Sequence, residues 1–206
     1  MIDLVSMPRM AALGDSITAG SPLWDPDPAV RARIGAALDE RSQWEWWAAR
    51  ATPGLQFSNC GVYGERAEEI ERRLEASVAN ADGLVLQGGI NDVAQGRPVE
   101  DAAAALRRMV RHGLELGLGV ALADVLPWNN GWPGAEPAIR QLNTLVHAIG
   151  REAGVPGLPF HATLEDPERP GRMREEWTDD GDHPSVEGYR RLGELASLRT
   201  YERLLP

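Results

Sequence analysis

Met10-Ala11-Ala12-Leu13-Gly14-Asp15-Ser16-Ile17-Thr18 is the stretch on which the fold turns. Its apolar run is too short for a helix and ends in glycine, so residues 10–13 read as a short buried strand. The polar residues after Gly14 then fall just beyond the carboxyl end of that strand. Outward from here the same unit recurs. Residues 55–60 follow the turn signal Pro53-Gly54 and read as a second strand. Residues 83–87 are a third apolar run, stopped by Gly88-Gly89. Residues 119–126 are a fourth, stopped by Pro127. Residues 155–160 are a weak fifth strand, and its two prolines place it at an edge.

Amphipathic runs lie between the strands. Residues 29–51 carry Val30, Ile34, Leu38, Trp44, Trp47 and Ala48 at helical spacing and predict a helix with a break. Residues 65–78 have Ile70, Leu74 and Val78 four apart behind an acidic start, which suits a helix N-terminus. Residues 99–116, 135–153 and 185–204 complete the helices, the last with Ser185 as N-cap. Strand alternating with helix predicts an α/β fold, a parallel sheet covered on both faces, in one domain spanning residues 1–206. In such sheets ligands sit beyond the carboxyl ends of the strands. The residues that follow each strand are therefore the ones to read for chemistry.

Composition narrows the chemistry further. The formal net charge is −10 and every basic residue that is not histidine is Arg. The absence of Lys removes Schiff-base chemistry, a P-loop lysine and a Ser-Lys dyad. The acidic balance argues against nucleic acid as a partner. Cys60 is the only cysteine, so no intrachain disulfide forms. The first ten residues hold no apolar stretch of signal-peptide length, and no segment reaches the ~20 apolar residues of a membrane span. A soluble, cytoplasmic protein is the expectation.

Four post-strand segments carry chemistry-bearing side chains. Ser16 opens the turn after strand one; on that context alone it reads as a helix cap, and at a sheet edge also as an exposed nucleophile. Gly61-Val62-Tyr63-Gly64-Glu65 offers glycines that turn the chain or bring an N–H close to a ligand. In Gly89-Ile90-Asn91-Asp92, Asn91 is a turn residue or a donor to an oxyanion. Asp179-Asp180-Gly181-Asp182-His183-Pro184-Ser185 places acids beside a histidine, which makes an oriented general base, a metal site or a solvated acidic loop. Taken together, a serine, oxyanion donors and an Asp-His pair on one sheet edge are the parts of acyl transfer.

These four segments, in this order, resemble the sequence blocks of the SGNH (GDSL-type) hydrolase family: Gly14-Asp15-Ser16-Ile17-Thr18, the segment 59–65 around Gly64, Gly89-Ile90-Asn91-Asp92, and Asp180-Gly181-Asp182-His183-Pro184-Ser185. The resemblance implies a three-layer α/β/α, flavodoxin-like fold with about five parallel strands, and a serine esterase without metal or organic cofactor. It implies catalysis by Ser16, His183 and Asp180, with an oxyanion hole from Ser16, Gly64 and Asn91. Asp180, rather than Asp182, is chosen as the acid by spacing. Tyr63 and Glu65 depart from the Ser and Asp that many members carry there.

The substrate is read from the neighbouring loops. Trp128, Asn129 and Asn130 follow the fourth strand, and Trp24 lies in the loop after Ser16. Rings beside amides suit a sugar or another polar ring-bearing ligand, although the same rings can serve only to pack the loops. Asp15 is a further candidate contact. No apolar lid is evident, so a short-acyl ester of a carbohydrate or small metabolite is expected, with lysophospholipase or thioesterase activity as the second reading. A catalytically idle ligand-binding protein on the same scaffold is the third. Trp44 and Trp47 share a helix face and predict core packing or self-association.

Overall fold

Alternate residues of the first strand face opposite ways, and that sets the layering. In the computed structural model, which describes residues 7–196, Ala11 and Leu13 enter one core while Met10 and Ala12 enter the other. Both clusters are buried, so the sheet is covered on both faces.

The chain begins with β1 (Arg9–Gly14), α1 (Ser16–Ala19), α2 (Pro28–Ile34), α3 (Trp44–Ala51) and β2 (Gln56–Gly61). Next come α4 (Ala67–Arg72), α5 (Leu74–Val78), β3 (Gly83–Leu86), α6 (Ile90–Ala94), α7 (Val99–Glu115) and β4 (Gly119–Ala123). There follow α8 (Ala135–Ala153), β5 (Gly157–Leu158), α9 (Phe160–Leu164), a small antiparallel pair β6 (Glu165–Asp166) and β7 (Arg169–Met173), and α10 (Val186–Arg191), which runs on into a π-helical turn at Leu192–Ala196. The main sheet has the order β2-β1-β3-β4-β5, with every pair parallel. It is a three-layer α/β/α arrangement with the strand order of doubly wound, flavodoxin-like folds. Helices α4, α5, α7 and α8 cover the face of Ala11 and Leu13. Residues of α3, α9 and α10, with Trp44, Phe160 and Tyr189 at the centre, cover the other.

Departures from the expected elements trace to particular residues. The predicted helix over residues 29–51 ends at Ile34, where Gly35 takes φ +62°, and resumes only at Trp44. Its Trp44 is fully buried core, in edge contact with Phe57 and Phe160. The helix over residues 65–78 splits at Arg73, whose side chain is called away to Glu65 and to the carbonyls of Cys60 and Gly14. The edge strand β5 shrinks to two residues between Pro156 and Pro159, which lack the N–H a ladder needs. The β6–β7 pair is absent from the sequence reading. Of the last predicted helix, residues 197–204 lie outside the described residues, as do residues 1–6. Among the described residues no helix is long and apolar enough to cross a membrane.

Candidate active site

Strands β1 and β3 are neighbours in the sheet but not in sequence, with β2 on the far side of β1. The chain therefore leaves their carboxyl ends in opposite directions, and a crevice opens there. Ser16 follows β1, Gly64 follows β2 and Asn91 follows β3, so three segments distant in sequence meet at this crevice.

Ser16 is not the cap of its helix. Asp15 is the N-cap, and its Oδ1 accepts the Ile17 N–H at 3.0 Å. Ser16 is the first residue inside the turn, where a backbone N–H has no intrahelical acceptor. Asp15 is fully buried beneath it. Its other oxygen accepts from Gln87 Nε2 at 3.1 Å, while Gln87 Oε1 accepts from the Thr18 hydroxyl at 3.0 Å. A carboxylate so enclosed does not meet solvent, so the expected substrate contact of Asp15 is corrected to a capping role. Burial pushes its pKa up to about 6, against the opposing pull of the Ile17 and Gln87 hydrogen bonds.

The acid–histidine loop is built around Asp180. Its Oδ1 accepts the backbone N–H groups of Asp182 and His183 at 2.8 and 2.7 Å, and Gly181 supplies the positive φ of +83° that this tight turn requires. Oδ2 is thereby left facing His183 Nδ1 at 2.8 Å. Partial burial works to raise the Asp180 pKa, but these three hydrogen bonds outweigh it and hold the carboxyl below its ordinary range. An ionised carboxylate only accepts, so in the neutral ring Nδ1 carries the proton and Nε2 is the acceptor. Nε2 lies 3.1 Å from Ser16 Oγ. The backbone of the loop is closed by the Thr178 hydroxyl, which donates to the His183 carbonyl at 2.7 Å and accepts from Gly181 at 2.9 Å.

The segments holding Gly64 and Asn91 are coupled to each other. Gly64 has φ +79° and empty space where a Cβ would sit, so conformation rather than crowding calls for glycine there. Asn91 Nδ2 donates to the Glu65 carbonyl at 2.9 Å. The neighbouring Asp92 is buried and accepts the Ala67 N–H at 2.9 Å, which caps α4. An amide has two hydrogens, so Asn91 keeps one for a ligand after meeting Glu65.

The remaining expected contacts fall elsewhere. Trp24 stacks with Arg31, whose guanidinium stands 4.9 Å from its ring. Asn129 spends its side chain on Met173, donating to its carbonyl and accepting from its N–H at 2.9 and 2.7 Å. Asn130 Nδ2 donates to the Asp180 carbonyl at 2.7 Å, and Trp128 Nε1 donates to Asp182 Oδ1 at 2.6 Å. The Trp128 Nε1, the Asn129 side-chain amide and the Asn130 Nδ2 are thus engaged in holding protein loops. The aromatic ring that does stand open beside the histidine is Tyr63, which is 66% exposed with its centroid 6.1 Å from that of His183. An open cavity beside Gly64 is walled by Tyr63, Glu65, Glu69, Arg72 and Arg73.

Sequence reading did not find Gln87 and Arg73. Gln87 was legible as a polar residue ending an apolar strand; Arg73 gave no local signal, because its partners lie on β1, β2 and the Gly64 loop.

The model of the GDSL-like lipase/acylhydrolase family matches residues 12–191. No curated protein matches the chain. Similar solved structures include a member of the lipolytic protein G-D-S-L family from Veillonella parvula, with TM-score 0.75, 19% identity, and coverage of 95% of this chain and 99% of that one. A GDSL-like lipase from Bacteroides thetaiotaomicron has TM-score 0.74 and 20% identity over 96% of this chain and 90% of its own. An acetylxylan esterase from Geobacillus stearothermophilus has TM-score 0.70 and 21% identity over 95% and 94%.

Proposed function

The chain belongs to the GDSL-like lipase/acylhydrolase family, and from that membership we propose that it hydrolyses a carboxylic ester of short acyl chain through an acyl-enzyme on Ser16. The observation that carries the reading is the unbroken row Ser16 Oγ, His183 Nε2, His183 Nδ1, Asp180 Oδ2, with contacts of 3.1 and 2.8 Å at its two hydrogen bonds. In that row His183 accepts the Ser16 proton as Oγ attacks the ester carbonyl. The developing oxyanion is received by the N–H groups of Ser16 and Gly64 and the Asn91 amide. His183 returns the proton to the departing alcohol. Water then repeats the sequence on the acyl-enzyme, and the acid leaves. Asp180, held ionised, orients the ring and steadies the imidazolium at each proton transfer.

The acyl and alcohol parts are proposed from the walls. The cavity beside Gly64 is lined mostly by charged side chains, which favours a small acyl group such as acetyl over a long chain. Tyr63 offers a ring face beside His183, and a sugar or another flat polar alcohol fits such a face. The structural likeness to an acetylxylan esterase is in keeping with this choice.

A fluorophosphonate probe tests the nucleophile directly. Wild-type protein is expected to label stoichiometrically and the Ser16→Ala variant not at all. Equal labelling of the two would sink the mechanism.

A further inference from the structure

The acid–histidine loop carries two acids next to its histidine, and they are treated differently. Asp180 faces the imidazole. Asp182, the immediate neighbour of His183, has its carboxylate engaged elsewhere: Oδ1 accepts from Trp128 Nε1 at 2.6 Å and from Asn130 Nδ2 at 2.9 Å. The same Asn130 amide reaches the Asp180 carbonyl at 2.7 Å, and the Asn129 N–H reaches the Gly181 carbonyl at 2.9 Å. Three consecutive residues after β4 therefore grip three consecutive residues of the loop.

The gripping segment is itself anchored. Asn129 makes its two hydrogen bonds with Met173 of β7, Arg172 donates to the Asn129 carbonyl at 3.0 Å, and Trp128 rests edge-on against Trp132. Gly181 serves the grip as well as the turn, since a Cβ there would press on the Asn130 amide at 2.8 Å.

We infer that Trp128 and Asn130 are positioning residues for His183, which by holding Asp182 aside and the Asp180 carbonyl in place decide which of the two acids serves the imidazole. The inference rests on the proposed function and deepens it. Exposed polar contacts contribute little singly, but charge-assisted donors converging on one oxygen restrict its rotamer. Released, Asp182 is free to turn toward the ring, to bring a second negative charge to it or to compete with Asp180 for Nδ1–H. A displacement of the ring by ~1 Å is enough to cost on the order of 100-fold in rate. The other acids that act on His183 are Asp179 and Asp180 on its own loop and Asp15 beneath Ser16; of these the grip touches only Asp180, and there the backbone carbonyl rather than the carboxylate.

The test compares Asn130→Ala, Trp128→Phe, Asp182→Ala and the double variant Asn130→Ala/Asp182→Ala. Hydrolysis of p-nitrophenyl acetate is followed across pH, with a thermal melt for each protein. Asn130→Ala and Trp128→Phe are each expected to lower kcat about tenfold with KM within twofold. Both should move the acidic limb of the profile to higher pH, because an added negative charge favours the protonated ring. In the double variant the limb should return to its position in Asp182→Ala. Asn130 is exposed, so its variant keeps the test valid if Trp128→Phe folds poorly. A fall in kcat with the limb unmoved would mean simple packing and overturns the inference, as would unchanged kinetics in an active enzyme. If wild type hydrolyses no ester, the proposed function fails instead. The His183 Nδ1–H resonance then decides the positioning role alone: sharp in wild type and broadened in Asn130→Ala supports it, and unchanged in both overturns it.

Discussion

Asp15 works without meeting solvent. It caps the turn that presents Ser16 and is tied to Gln87 at the end of β3, so it locks two strand ends of the crevice together. Its raised pKa has a consequence for stability. The folded state holds the Asp15 proton more tightly than the unfolded chain, so stability is present at low pH and is lost as pH rises from 3.8 to about 6. Asn keeps the cap and removes the titration. Relative to Asp15→Asn, wild type should lose about 3 kcal/mol between pH 3 and pH 7, at ~1.36 kcal/mol per pH unit. Urea unfolding of both proteins at the two pH values measures this, and a pH-independent difference would refute it. Asn91 is the second residue-level case. Its amide bridges the Glu65 carbonyl and the position proposed for the oxyanion. Asn91→Ala should lower kcat by roughly 100- to 1000-fold with little change in KM. Steady-state kinetics on an acetate ester check it, and a loss seen only in KM would assign Asn91 to ground-state binding.

At the scale of elements, the site depends on how closely backbone segments approach. A Cβ at Gly61, the last residue of β2, would strike the backbone nitrogen of Ala19 in α1. Backbone cannot yield as a side-chain tip can, so Gly61→Ala should cost about 1–3 kcal/mol or more and displace α1, Ser16 with it. A shift of the urea midpoint together with lost esterase activity is the expected reading; a stable and active variant would contradict it. Arg73 acts on the same scale. It divides the helical run after Gly64 and binds the carbonyls of Gly14 and Cys60, where β1 and β2 end. The strands were legible in sequence because glycine or proline stops each apolar run. The split at Arg73 was not, because its cause lies in carbonyls brought near by other elements. The break between α2 and α3 was half legible: periodicity ran through it, and the glycine that ends it takes a left-handed conformation that periodicity does not record.

For the whole molecule, the order β2-β1-β3-β4-β5 brings the Ser16, Gly64 and Asn91 segments to one crevice, and the described chain adds His183 from beyond β7. Open features beside that crevice are the Tyr63 ring and the cavity walled by Glu65, Glu69, Arg72 and Arg73, and these charged walls do not shelter a long alkyl chain. Each methylene kept in water forgoes ~0.8 kcal/mol of burial, so added chain length brings no gain in transition-state binding. We expect kcat/KM to be higher for p-nitrophenyl acetate than for the octanoate. A preference for octanoate would favour the lysophospholipase or thioesterase reading.

The sequence by itself determined the alternation of strand and helix, the α/β class and the set of side chains proposed for acyl transfer. Those features are local: apolar runs, stop residues and residue types survive in any conformation. It also placed Asp180 three residues before His183, a spacing that one glycine-containing turn converts into a hydrogen bond. Only the tertiary structure decided what Asp15, Trp128, Asn129 and Asn130 do. Each is polar or amphipathic and follows a strand, which in sequence suits a ligand and a neighbouring loop equally well. Their donors and acceptors were settled by what the fold brought within 3.1 Å: Gln87 for Asp15, Met173 for Asn129, and the acid–histidine loop for Trp128 and Asn130. A buried or tightly held polar group takes the partner packing supplies, and packing joins residues more than 40 positions apart.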